Sequence, residues 1–168
     1  MPLEPPAELD VVDYIQQTRD SYAQLGYDAY RWAHEPEPAP FATPAKPLEE
    51  CRVAMIGSGG VYRVGQVAFH HKDDTSVRAI PVDSPADQLR TSHFAYDMTA
   101  ARRDPNVVFP LRALRELADA GEIGTLADEA IAFMGGIYSQ RRLHEELIPA
   151  LTAEIERLDP DVVLLVPV

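Results

Sequence analysis

The chain predicts an α/β fold: a parallel sheet covered by helices, carrying an N-terminal helical arm. Three observations point there. Short apolar runs alternate with helical patterns along the body of the chain, which is the rhythm of strand–helix–strand units. Two of these runs, Arg52-Val53-Ala54-Met55-Ile56 and Asp161 to Val168, are continuously apolar, as expected of strands buried on both faces. Glycines follow the strands directly, in Gly57-Ser58-Gly59-Gly60 and Gly135-Gly136, where a strand would turn into a close-packed loop.

In chain order, Asp10 is placed to cap a first helix, with Asp13 adding a second negative charge to its first turn. Val11, Ile15, Thr18, Tyr22 and Leu25 recur at three- and four-residue spacing, and Gly26 supplies a left-handed stop. Tyr14, Tyr22, Tyr27, Tyr30 and Trp32 crowd this arm and offer a packing face or a subunit interface. From Pro36 to Pro47 five prolines make an extended connector. Residues 1–50 therefore form the arm and connector, and residues 51–168 an α/β domain.

Within that domain Val77 to Val82 reads as a second strand and Val107-Val108-Phe109 as a very short third. Pro110 opens a helix where its missing N–H costs nothing, and Gly121 ends it. Ile131 to Met134 is a further strand. Ser139 caps a longer helix with Leu143, Leu147, Leu151 and Ile155 at four-residue spacing, which Pro149 should kink or divide. The final run, Asp161 to Val168, brings its carboxyl end to the sheet edge where open α/β sheets bind ligands. The domain therefore reads as incomplete at its C-terminus. Apolar surface left around that strand predicts a homo-oligomer.

Composition excludes several functions. The 168 residues carry 27 Asp and Glu against 15 Lys and Arg, a formal net charge of -12, and the basic residues are scattered. Such a chain is repelled by a phosphate backbone, so no nucleic-acid partner is expected. A single cysteine, Cys51, excludes an internal disulfide and any multi-cysteine metal site. No run approaches the length of a membrane span, and the first residues have no signal-peptide pattern, so no membrane partner and a cytoplasmic location are expected.

The candidate chemistry is sparse. Gly57 to Gly60 lacks the third glycine of a dinucleotide loop but would let backbone amides approach a small anion. If Thr91 to Asp97 were helical, His93 and Asp97 would share a face as acid and base or as two metal ligands, though no third histidine is near and no metal is expected. His70, His71, His34 and His144 read as surface residues, and Cys51 lies at the wrong end of its strand for catalysis. No complete nucleophile–base pair is present.

The residues do resemble a known family. Val12-Asp13-Tyr14-Ile15, Thr18-Arg19 and Leu25-Gly26-Tyr27 are similar to the opening of the selenoprotein B family, the selenoprotein subunits of glycine, sarcosine and betaine reductases and of D-proline reductase. Agreement runs on through Lys46-Pro47-Leu48, Gly59-Gly60-Val61, Asp87-Gln88-Leu89-Arg90, Ser92-His93, Tyr96-Asp97, Val108-Phe109-Pro110-Leu111, Gly121-Glu122-Ile123-Gly124 and the closing Asp161 to Val168. The chain departs from the pattern at Phe94, Ala95 and Met98, positions often polar or histidine in that family, which weakens a metal or relay role for Ser92 to Asp97.

The resemblance implies a flavodoxin-like or racemase-like three-layer sandwich and an oxidoreductase of amino-acid metabolism. In that family a selenocysteine or cysteine follows the last Val-Pro-Val, so the reading frame is expected to be cut at a selenocysteine codon after Val168. A selenol there would be ionised at neutral pH, where an ordinary thiol mostly is not. The implied partner is a reductase subunit of pyruvoyl type, or another reductase subunit, acting on a small amino-acid-like substrate. The implied cofactor is the pyruvoyl group of that partner, with none in this chain. The expected catalytic residues are His93, transferring a proton, and Asp97. Gly59, Gly60, Arg90, Ser92 and Tyr96 would bind substrate, Arg90 by holding the carboxylate of the substrate. Two other readings remain open. One is a non-catalytic binding or assembly subunit that keeps the scaffold without the nucleophile. The other, an amino-acid racemase, needs paired cysteines that this chain lacks.

Overall fold

The structure, a computed structural model, describes residues 13–29, 34 and 36–168. They fall into two units, Met1–Ala42 and Thr43–Val168.

The described residues of the first unit hold one helix, α1 (Tyr14–Gln24). Asp13 is its N-cap, its carboxylate accepting the Gln16 N–H at 2.9 Å, so it acts as the cap and not as a first-turn charge. Asp10, expected as the cap, lies outside the described residues, as do Tyr30 and Trp32. The helix stops as its glycine predicts. Gly26 sits at φ +73°, its N–H reaching Ala23 O and the Tyr27 N–H reaching Tyr22 O.

The second unit is built around β1 (Arg52–Gly57). On one side it pairs in parallel with β7 (Val162–Val166), from Val53↔Val162 to Gly57↔Val166. On the other side it pairs in parallel with β5 (Thr125–Leu126) at its start and β6 (Glu129–Ala132) at its end. Alternate residues of β1 feed two cores. Val53 and Met55 pack with Phe109, Leu111 and Leu114, the last two from α3 (Leu111–Asp119). Ala54 and Ile56 pack with Ile131 and with Leu151, Ile155 and Leu158 of α5 (Ile148–Leu158). This two-period alternation is what makes β1 the centre of a layered α/β unit.

Four expectations need correction. The sheet is mixed: β3 (Arg78–Pro81) runs antiparallel on the outer side of β6, because the chain reaches it without the helical crossover that a parallel partner needs. β7 is not buried on both faces. Its only strand partner among the described residues is β1, and Leu164 and Leu165 are exposed. Val107 to Phe109 is not a strand, since Asp104 accepts the Asn106 N–H and starts a 3-10 turn over Pro105–Val107, leaving Phe109 to fill the core. The condition set for His93 and Asp97, a helix from Thr91 to Asp97, is not met: β2 (Val61–Arg63) pairs antiparallel with β4 (Leu89–Thr91) in a small two-stranded sheet, and residues 92–97 form an irregular loop before α2 (Thr99–Arg103).

The last long helix divides as its proline predicts. Ser139 caps α4 (Gln140–Arg142), a π-turn follows over Leu143–Leu147, and Pro149 lies in the first turn of α5. α5 ends on Asp159 in the left-handed conformation, φ 47°.

Candidate active-site edge

Three segments converge at the carboxyl end of the sheet, and Ser58 is their junction. Its N–H donates to Val166 O, its carbonyl accepts from Gly135 N–H, and its hydroxyl accepts from Val168 N–H at 2.9 Å. Sequence reasoning singled out the glycines around Ser58 and missed the serine itself; a lone hydroxyl in a glycine loop was the available signal. Gly59 bridges Met134, and the Gly60 N–H donates to Phe133 O. Gly60 also accepts from Ser92 N–H, which brings in the loop that follows β4. At φ +67°, with the Ser92 carbonyl pressed against its α-carbon, Gly60 has no room for a side chain.

Cys51 lies at the other end of β1, buried, its Sγ donating to Pro47 O at 3.2 Å. The parallel register of β1 and β7 places Val168 beyond Gly57, at the end opposite Cys51.

His93 is buried beside Gly60, and its ring lies 4.8 Å from that of Tyr96, centroid to centroid. The Tyr96 hydroxyl donates to Gly59 O at 2.9 Å, fixing the glycine loop from this side. Burial lowers the His93 pKa below the usual histidine value and raises that of Tyr96, so both are neutral near pH 7. The tautomer follows from geometry. Nδ1 accepts the backbone N–H of Ala95 at 3.0 Å, so the neutral ring carries its proton on Nε2. That Nε2–H is buried and has no hydrogen-bond partner among the described residues.

The remaining predicted residues are partly gathered in. Ser92 donates its hydroxyl to Phe69 O and stays with the Gly60 loop. Asp97 does not face His93 across a helix turn. It is exposed and its carboxylate, lowered in pKa, accepts from the Thr99 hydroxyl and N–H at the start of α2. Arg90 occupies the outer face of β4, opposite the buried Leu89 and Thr91, in a separate polar cavity. On the other side of the Val168 edge, an apolar groove of about 440 Å³ is lined by Ile56, Ser58, Leu151, Ile155, Leu165 and Val168, among others. No group of three metal-ligating side chains occurs among the described residues, and no helix there is long and apolar enough to cross a membrane.

Comparison with known proteins bears directly on this edge. The family model of glycine/sarcosine/betaine reductase selenoprotein B matches residues 34–166. The D-proline reductase subunit gamma of Acetoanaerobium sticklandii is 35% identical over 129 residues, 76% of this chain and 53% of the relative. The glycine reductase complex component B subunit gamma of Symbiobacterium thermophilum is 31% identical over 99 residues, 55% of this chain and 23% of the relative. That of Carboxydothermus hydrogenoformans is 29% identical over 96 residues, 54% of this chain and 22% of the relative. The chain thus spans about half the length of the first relative and under a quarter of the other two. No solved structure matches. The matched segment holds β1, the glycine loop, His93 and β7 together, and by it the chain belongs to the glycine/sarcosine/betaine reductase selenoprotein B family.

Proposed function

We infer that this chain is part of the selenoprotein B-type subunit of a reductase that cleaves a carbon–nitrogen bond in glycine, sarcosine, betaine, D-proline or a similar small substrate. The observation that carries the reading is the convergence of the Ser58–Gly60, Ser92–Tyr96 and Val166–Val168 segments at one sheet edge, within the segment that the family model matches. A selenol or thiol just after Val168 would form a bond to the substrate carbon as the nitrogen leaves with the C–N electron pair and a proton; one thiol of a dithiol would then attack the selenium or sulfur, the carbon leaving with that bond's electron pair and taking a proton, and the second thiol would release the nucleophile as the dithiol closes to a disulfide.

The residues of this chain prepare that event. Ser58 holds the backbone at Val168 through its hydroxyl. Gly59 and Gly60 bring backbone close without side-chain obstruction, and Tyr96 locks the Gly59 carbonyl. His93 serves as a neutral hydrogen-bond donor from Nε2 to a substrate oxygen. It does not shuttle a proton, because accepting one at Nδ1 would break its bond to Ala95. The pyruvoyl group that the resemblance implies would lie on a partner subunit and not on this chain. This edge fits a carbonyl-bearing partner in one respect, the unpartnered N–H at His93.

The test is reconstitution. The gene product that carries this chain is purified with its partner subunits and assayed for dithiol-dependent cleavage of D-proline, glycine, sarcosine and betaine. Turnover abolished by alkylation of a selenol or thiol just after Val168, located by mass spectrometry, is the expected result. Turnover indifferent to that alkylation would make this a binding or assembly subunit.

A further inference from the structure

A polar cavity that shares no lining residue with the apolar groove at Val168 lies between β4 and α2. It has a volume of about 360 Å³ and is lined by Tyr62, Leu89, Arg90, Thr91, Ala101 and Arg102. Tyr62 and Arg90 are opposite each other in the β2–β4 register, so their side chains share a face, and Arg102 enters from α2. Four of the six lining residues carry hydrogen-bond donors, and none carries a carboxylate.

The two arginines at this cavity, like Arg63, Arg78, Arg103 and Arg115, have no carboxylate partner among the described residues. Arg52, Arg112, Arg141, Arg142 and Arg157 each pair with a carboxylate. The Arg102 guanidinium forms no hydrogen bond or ion pair among the described residues, although its charge is felt by Tyr96 and Asp97. Arg90 donates only to the Asp87 and Leu89 carbonyl oxygens, so its charge is also uncompensated. The neighbouring acid, Asp97, already accepts two hydrogen bonds from Thr99.

Two guanidiniums bordering one concave space on a chain of net charge -12 form a local positive site. Their forked donors match the geometry of a planar or tetrahedral oxyanion. We propose that this cavity binds a small oxyanion, a carboxylate or inorganic phosphate, between Arg90 and Arg102, with the Tyr62 hydroxyl as a further donor. This site is separate from the edge at Val168, and its test does not depend on reductase activity.

The experiment titrates the intact gene product with sodium phosphate, sodium acetate and glycine at constant ionic strength, following the thermal midpoint and the heat of binding. A saturable upward shift is expected from at least one oxyanion, since a ligand of the folded state alone stabilises it. Arg102→Gln and Arg90→Gln should each weaken that binding about tenfold or more, the loss of a charge-assisted bond. Arg103→Gln, an exposed neighbour on α2 that does not line the cavity, is the control and should bind as the parent does. Saturation by acetate and glycine but not phosphate identifies a carboxylate site, and the reverse identifies a phosphate site. Absence of any saturable shift overturns the proposal, as does an equal loss in Arg103→Gln.

Discussion

The two ends of β1 are made of similar materials and built to opposite purposes. At the amino end no buried side-chain nitrogen or oxygen lacks a partner among the described residues. Asp161 accepts from Arg52 N–H at 2.7 Å and pairs with Lys46 at 2.7 Å, while Arg52 Nε donates to Leu158 O. Gly124 packs so closely on the Cys51 backbone that an added Cβ would sit 2.6 Å from its carbonyl oxygen. The carboxyl end has equally tight glycines but keeps loose ends: the orphan Nε2–H of His93, the exposed Phe94 beside it, and the exposed Leu165 and Val168. An unpaired buried donor is a cost in stability. One end of the strand therefore holds the fold together, while the other leaves a buried donor and apolar side chains unmatched.

The sharpest way to break this contrast is to show that the carboxyl-end glycines are mere filler. Gly60→Ala should destabilise the second unit by about 3 kcal/mol or more, from a left-handed backbone combined with a clash against the Ser92 carbonyl. Denaturant unfolding reads this directly, and a variant as stable as the parent would mean that the loop is not held as described.

A smaller effect tests the amino end. Cys51→Ala removes a fully buried thiol and should cost about 1–2 kcal/mol. Reductive turnover of the reconstituted complex should remain as it was. Lost activity at unchanged stability would move chemistry to the end assigned to structure.

The subtlest effect is a pH slope. Burial depresses the His93 pKa, so below the ordinary histidine range, near pH 6.5, the unfolded chain takes up a proton that the folded chain refuses. Stability from this group is therefore complete above that range and falls as pH drops through it toward the folded value. The groups facing the ring are Tyr96, Phe94 and Gly60, with the Met98 sulfur on its backbone N–H; none of these carries charge near neutrality. Chemical denaturation of the parent and of His93→Phe across pH 5 to 8 should show a slope in the first that is missing from the second. Parallel curves would mean that His93 is not held neutral by burial.

Much of this was legible in the residues. The apolar runs located β1 and β7, Pro110 and Gly121 bounded α3, and Ser139 and Pro149 marked where the last helix starts and divides. The order of short motifs identified the family. What escaped has physical reasons. Strand direction leaves no trace in a four-residue apolar run, so the antiparallel β3 was not visible. β2 and β4 are three residues each, too short to show an alternation. Val107 to Phe109 looks like a strand by composition, but Asp104 and Pro105 commit it to a turn. At the site, four-residue spacing suggested that His93 and Asp97 act together, and only the loop conformation shows that each turns to a different neighbour. Arg90 stood in the same motif as Ser92-His93, yet β4 ends at Thr91, so Arg90 stays on the exposed face of the strand while Ser92 and His93 enter the loop.

Asp159 closes the chain's last helix in a conformation that a glycine would adopt with less strain. Its side chain is exposed, so replacement there touches neither core. The position is mutational headroom. A lineage or a laboratory that wished to alter the costly carboxyl edge could first relax this residue, and so tolerate at the edge a substitution that the parent would not survive.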